Sequence, residues 1–264
     1  MLLIIEALLI LAALGQDHRA AVAGLNLDMA VNSVDDYYYG CRVKMAEKVE
    51  KEYLVKDRGN PKFNNAWEEG ERKAVNAGDA LKRTNSIAIY VYTNTVQYKI
   101  YTQFNNDTRH GKQNYTAGTY KWYSLQFLLT EAIETLREQQ NTCFKTFRGT
   151  KLAITGFTFP IVRFGSFTSS SLDRNVAKRF GSKFCFEIYT CLGANVEKYS
   201  RLPYEKEVLI PPYEKFRITG IKTRQTQKDL WCETVITLKH DGARSELNCA
   251  LFKKKTRPEQ TIMV

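Results

Sequence analysis

The stretch Tyr204–Pro212 reads YEKEVLIPP. Val208, Leu209 and Ile210 form a short aliphatic run that Pro211 and Pro212 stop, the pattern of a short buried strand. Strand side chains at i and i+2 share a face. Glu205 and Glu207 are therefore expected to look out together from the strand mouth while Lys206 looks away. Two carboxylates held close together serve acid–base chemistry or stabilise a developing cation. Taken alone, a Glu-x-Glu is more often a solvated strand end, so the remainder of the chain has to decide.

Around this stretch the second half reads as strands. From Cys143 onward, apolar or aromatic runs at 143–147, 166–168, 183–190, 208–210, 216–223 and 233–239 alternate with turn residues, and a short helix is expected at 175–180. The first half reads as helices. Residues 47–56 and 65–82 carry apolar side chains at roughly helical spacing. Tyr123–Glu138 is amphipathic, with Leu125, Leu128, Leu129, Ile133 and Leu136 on one side. Ile87, Ile89, Val91 and Thr93 alternate, which argues for a strand, and the polar residues 102–119, with Gly111 and Gly118, read as a loop. Helices followed by strands make the fold class α+β.

The chain has 264 residues, enough for one large domain, and a net charge of +11 with a pI near 9.3. This balance favours anionic surfaces as partners. The basic residues are scattered apart from Lys253–Lys255, and neither zinc-finger spacing nor an RNA-binding aromatic motif is present, so no specific nucleic acid is expected. Leu2–Leu14 is apolar except for Glu6 and is followed by small residues at 15, 20, 21 and 23. It is too short to span a bilayer and fits a secretory signal over 1–20, leaving 21–264 as a single, secreted domain. Residues 253–264 are polar and lack the hydrophobic tail of a lipid-anchor signal. The six cysteines, an even count in an oxidising compartment, favour disulfides, and the lack of a CxxC pair argues against zinc. Asn106 and Asn114 head glycosylation sequons.

Two further motifs carry chemistry. In Phe147-Arg148-Gly149-Thr150, an arginine at a strand end can hold a phosphate or ribose, and glycine lets the backbone come close. An arginine of this kind is by itself more often part of an ion pair. In Thr168-Ser169-Ser170-Ser171, four hydroxyls precede a helix and could either cap it or orient a polar ligand and a carboxylate. The order Arg, Ser-x-Ser, Glu-x-Glu is far more specific than any one part. Together with VRFGSFTSSSL (162–172), YTCLG (189–193), YSRLPYEKEVLIPPYEKF (199–216), WYSLQFLLTEAIETLR (122–137), Tyr92-Thr93 and Asn248-Cys249, it resembles the arginine-specific mono-ADP-ribosyltransferases of the secreted and cell-surface group over nearly the whole chain beyond the leader.

The resemblance implies a helical N-terminal half and two β-sheets packed nearly at right angles around an NAD cleft. It makes 87–93 helical, against the alternation read from the residues, and the resemblance is followed here. It pairs Cys41 with Cys249 and Cys143 with Cys191, and leaves Cys185 and Cys232 either joined to each other or free. It implies transfer of ADP-ribose from NAD(P)+ to an arginine guanidinium on acceptor proteins by a monomeric enzyme that needs no metal. Glu207 would face the cation that grows on the ribose, and Glu205 would hold the guanidinium and help take its proton. Ser169 would orient Glu207 and the ribose, and Arg148 would bind a phosphate or ribose. Further dinucleotide contacts would come from Tyr92, Thr93, Gly149, Thr150, Phe180 (stacking near nicotinamide) and Ser200. Two other functions stay open: a catalytically silent secreted basic binding protein, against which the intact Arg148, Ser169, Glu205 and Glu207 speak, and an NAD glycohydrolase, against which Glu205 speaks.

Overall fold

One helix of the first half, Pro61–Lys73, begins and ends where side chains supply the backbone partners that helix termini lack. The computed structural model describes residues 25–76, 81–151, 154–157 and 160–253; the expected leader at 1–20 and most of the basic tail lie outside them. Helix α1 (Arg42–Lys48) continues through a π-helical turn, Val49–Tyr53, into α2 (Leu54–Asp57). Helix α3 (Pro61–Lys73) has proline at its first position, where no N–H is missed, and Asn60 as its cap, accepting from Lys62 N (3.0 Å) and Phe63 N (3.2 Å). It stops at Lys73, short of the expected 82. Ala74 turns extended, and the Arg83 guanidinium donates to the carbonyls of Glu71, Ala74 and Val75.

Two stretches differ from the reading of residues alone. Arg83–Thr93 is helix α4, as the resemblance implied. Every residue from Asn85 to Thr93 is buried, so no polar face exists to impose a helical period on the sequence. The expected loop at 102–119 is helix α5 (Ile100–His110) and helix α6 (Lys112–Ala117). In α5 only Ile100, Phe104 and Thr108 are buried, a stripe one residue wide at i, i+4, i+8 among polar neighbours. Asn106 and Asn114, the sequon asparagines, are exposed on these helices. Helix α7 (Tyr123–Gln140) lies where its periodicity put it and packs against α4 in the main hydrophobic core.

The strands are β1 (Leu25–Leu27), β2 (Phe144–Thr150), β3 (Ile154–Phe157), β4 (Ile161–Val162), β5 (Thr168–Ser171), β6 (Phe184–Thr190), β7 (Ala194–Asn195), β8 (Glu207–Ile210), β9 (Glu214–Thr223) and β10 (Thr234–Ala243), with helix α8 (Arg174–Arg179) after β5. Beside the small β1–β3 pair, the strands run in the order β4-β9-β10-β6-β2-β5-β8-β7. Between β2 and β5 the ladder consists of the single pair Phe147–Ser171. Where two sheets were expected, the strands form one continuous eight-strand sheet, which divides into a five-strand block and a three-strand block joined at this one pair. Leu209 of β8 enters the core shared with the helices, and Ile210 enters the core of the five-strand block. This is why the run is apolar without alternation: β8 is buried on both faces.

Three disulfides fix distant segments: Cys41–Cys249, Cys143–Cys191 and Cys185–Cys232. The third settles the two cysteines left open above. A buried ion pair joins the N-terminal segment to β4 and the C-terminal segment. Arg163 donates to Asp35 Oδ2 (2.6 Å) and to the carbonyls of Met29, Ala30 and Arg244, while Asp35 Oδ1 accepts from the backbone of Glu246 and Leu247 (both 3.0 Å). Both side chains are buried, so removing one partner leaves an uncompensated charge. Arg163→Met is expected to lower unfolding stability by about 3–5 kcal/mol, read by urea unfolding with the disulfides intact. Adding Asp35→Asn should recover part of that loss.

Candidate active site

The cleft forms where β2 and β5 part. Beyond the Phe147–Ser171 pair the strands no longer hydrogen-bond as a ladder, and the Arg148 guanidinium spans the gap instead, donating to the Ser169 carbonyl (2.6 Å). The space that opens, about 450 Å³, is lined by Arg148, Gly149 and Thr150 on one side and Ser169, Ser170 and Ser171 on the other. Tyr92 and Thr93 of α4, Phe180 after α8, and both Glu205 and Glu207 complete its walls. Of the residues named from sequence, Arg148, Gly149, Thr150, Tyr92, Thr93, Ser169, Phe180, Glu205 and Glu207 share this cleft. Ser200 does not: it lines a separate pocket, and its hydroxyl accepts from Leu202 N (3.1 Å).

The two acids reach the cleft by a different route from the one parity suggested. Glu205 is not in the strand. Pro203–Glu205 form a single 3-10 turn, Lys206 takes a left-handed conformation at φ 47°, and β8 starts at Glu207. The turn is held from β5: the Ser171 hydroxyl donates to Glu205 O (2.7 Å), and Leu172 N donates to Lys206 O (3.0 Å). Lys206 points outward, as expected, to Asp173 (3.2 Å), the N-cap of α8. Ser171 also accepts from Asp173 N (3.0 Å), so one hydroxyl ties the acid turn to the helix start.

Glu207 is 3% exposed, and its Oε1 has no hydrogen-bond partner among the described residues. Burial pushes its pKa up to about 7, Ser169 and Arg148 pull it back, and the nearby Glu205 adds to the rise. Ser169 is the diagonal neighbour of Glu207 across the β5–β8 ladder, whose direct pairs are Ser171–Glu207 and Ser169–Leu209. Burial also raises Glu205, partly offset by the Arg179 guanidinium. The same burial disfavours the charge on Arg148, while Tyr92, Glu207 and Tyr101 favour it. The Tyr92 hydroxyl donates to Phe167 O (3.0 Å) and accepts from Asn105 Nδ2 (3.0 Å), fastening α4 and α5 to the start of β5; its pKa is pushed up to about 12, chiefly by burial.

Gly149 is required for a reason the sequence did not show. A Cβ there would lie 2.3 Å from Gly181 O and 2.5 Å from Ala177 O. The close approach is to the protein's own chain, and it brings the end of α8, with half-exposed Phe180, against β2 at the cleft mouth. Lys99, Tyr101 and Asn105 also line the cleft and were missed: Asn105 lies in the stretch read as a loop, and neither Lys99 nor Tyr101 belongs to a motif that carries chemistry.

Comparison with known proteins agrees with this geometry. The model of the NAD:arginine ADP-ribosyltransferase family matches residues 27–237, which include the whole constellation. The chain belongs to this family. It is 33% identical to the erythroblast NAD(P)(+)–arginine ADP-ribosyltransferase of Gallus gallus over 260 residues, 94% of this chain and 83% of that one. It is 30% identical to ecto-ADP-ribosyltransferase 4 of Mus musculus, over 90% of this chain and 82% of that protein. The crystal structure of the eukaryotic mono-ADP-ribosyltransferase ART2.2 superposes with a TM-score of 0.70 at 32% identity, covering 87% of this chain and all of that one. A variant of ART2.2 in complex with NAD gives a TM-score of 0.69 over the same shares. The α+β architecture is therefore the ADP-ribosyltransferase fold.

In this ADP-ribosyltransferase the raised pKa of Glu207 links stability to pH. The folded value, about 7, lies above the ordinary 4.5. The stability associated with its neutral form is fully present below 4.5 and lost as pH rises through 7. Glu207→Gln, which stays neutral, should gain stability over the parent by roughly 3 kcal/mol between pH 4.5 and pH 8. Denaturant unfolding of the two proteins at both pH values checks this, and a pH-independent difference would contradict the burial of an ionised Glu207.

Proposed function

We propose that this chain transfers the ADP-ribose group of NAD(P)+ to the guanidinium of arginine on acceptor proteins, releasing nicotinamide, and that it does so outside the cell. The observation that carries the reading is the meeting of Arg148, Ser169, Glu205 and Glu207 in one cleft, with a Glu207 oxygen buried and unpartnered among the described residues. A dinucleotide supplies a C–N glycosidic bond whose cleavage builds positive charge on the ribose, as in glycoside cleavage. Ionised Glu207, in a site shielded from water, stabilises that charge more in the transition state than in the ground state. Ser169 orients it. Arg148, its guanidinium already fixed on the Ser169 carbonyl, presents the remaining N–H donors to a phosphate or ribose. Glu205 is half-buried on a separate turn, where it can hold the incoming guanidinium and take its proton.

The three disulfides and the absence among the described residues of a helix long and apolar enough to cross a membrane fit an extracellular protein, and relatives are named as ecto-enzymes. The net charge of +11 favours acceptors with acidic surfaces.

With labelled NAD and polyarginine, Glu207→Gln is expected to lose about 10²–10³-fold or more in transfer rate while keeping the parent fold by circular dichroism. A folded variant that labels at the parent rate would sink the assignment. Glu205→Gln should lose arginine transfer and retain NAD hydrolysis; equal loss of both would show that the acids do not divide the work. Because the ionised form of Glu207 is the active one, kcat/KM for NAD should rise with pH through about 7. Ser169→Ala should move that limb up and Glu205→Gln, followed through hydrolysis, should move it down.

A further inference from the structure

Distinct from the cleft, a pocket of about 370 Å³ is lined by Lys73, Val75, Tyr90, Tyr199, Ser200 and Arg201. Lys73 comes from the end of α3, and Ser200 and Arg201 from the turn between β7 and β8, so two cations from distant parts of the chain face one space. The Arg201 Nε is buried and has no hydrogen-bond partner among the described residues. A guanidinium N–H withdrawn from water without an acceptor is unfavourable, and such groups mark places where a ligand supplies the missing partner. Lys73 uses one of its three donors on Glu69 (2.9 Å), which leaves two. The Ser200 hydroxyl, 8% exposed, accepts from Leu202 N and so keeps its own proton to donate. Tyr90 donates to Glu69 (3.1 Å), and Glu69, 3% exposed, is held well ionised by Lys73. One carboxylate against two cations leaves the pocket with a net positive charge.

We infer that this pocket binds a phosphate-type anion, at a site separate from the dinucleotide cleft. Donors from an arginine, a lysine and a hydroxyl suit a tetrahedral oxyanion, which offers more acceptor oxygens than the two of a carboxylate. The site also touches the cleft. The Arg201 backbone N–H donates to the Thr93 hydroxyl (2.8 Å), and Thr93 lines the cleft wall, so the two sites are neighbours that share no lining residue. The inference does not depend on the activity proposed above.

Binding is tested with the whole chain by thermal shift and isothermal titration. Inorganic phosphate is compared with chloride at matched ionic strength. The parent should show saturable stabilisation by phosphate, and Arg201→Gln and Lys73→Gln should each weaken it by roughly tenfold or more. Arg201→Lys, which restores the charge, should recover part of the affinity. Arg148→Gln and Glu207→Gln, which alter the cleft, should leave phosphate binding intact even if arginine transfer proves to be absent. Competition against inorganic phosphate then identifies the source of the group: displacement by AMP would assign a phosphate ester, and failure of AMP to displace would assign the free ion. Unchanged phosphate binding in both Arg201→Gln and Lys73→Gln, or loss of binding in Arg148→Gln alone, would overturn the inference.

Discussion

Everything in the catalytic region depends on two strands that meet once and then separate. β2 and β5 share the pair Phe147–Ser171, and a regular antiparallel ladder would continue through Arg148 and Gly149. Instead the backbones diverge, and the Arg148 side chain takes the place of ladder bonds by reaching the Ser169 carbonyl. An unpaired strand stretch exposes donors and acceptors, so the same divergence makes the cleft and furnishes it with polar groups. The cleft is a built gap between two sheet blocks that are otherwise held by full ladders, β2 to β6 on one side and β5 to β8 on the other.

The hydroxyl run 168–171 shows how such a gap is kept in register. Ser170 donates to Val208 O (3.0 Å), Ser171 to Glu205 O (2.7 Å), and Ser169 stands by Glu207. Consecutive side chains on one strand thus fasten the next strand and the turn in front of it. This matters because Glu207 is held in an unfavourable setting: burial opposes its ionisation, and Glu205 adds like-charge repulsion. A buried carboxylate stays placed only if the surrounding backbone is over-determined. The helical lobe adds a second fastening through Tyr92, whose hydroxyl bonds β5 and α5 together. Such desolvation is also what gives a fixed charge its leverage on a developing cation.

Farther out, the framework is closed by covalent and ionic links between segments remote in sequence. Cys41–Cys249 joins the first helix to the end of the described chain, Cys185–Cys232 joins β6 to the entrance of β10, and the Arg163–Asp35 pair knots three segments at the base of the five-strand block. Only Cys185–Cys232 comes near the cleft, packing in one cluster with Ala177 and Phe147 of its lining. Cys41–Cys249 and the Arg163–Asp35 pair tie the segment ahead of the helices to the chain beyond β10, while Cys185–Cys232 staples two neighbouring strands of the five-strand block.

Sequence alone determined the things that depend on local pattern and residue type. The longer strands after Cys143, helix α7 and the four residues Arg148, Ser169, Glu205 and Glu207 that meet in the cleft were legible because strands, amphipathic helices and a rare order of chemical groups leave marks in one dimension, whereas the short strands β3, β4 and β7 were not. Tertiary structure decided what depends on burial and on meeting. Helix α4 hid its period because all its faces are covered, and α5 hid it because one narrow stripe is. Glu205 and Glu207 share a space through a left-handed turn at Lys206 that strand parity does not describe. Gly149 serves a contact with Ala177 and Gly181, and Ser200 belongs to another pocket, facts that no spacing along the chain encodes. The physical reason is common to all of them: an amino acid's chemistry is carried by its side chain, while the water it loses and the neighbours it gains are set by segments that may lie a hundred residues away.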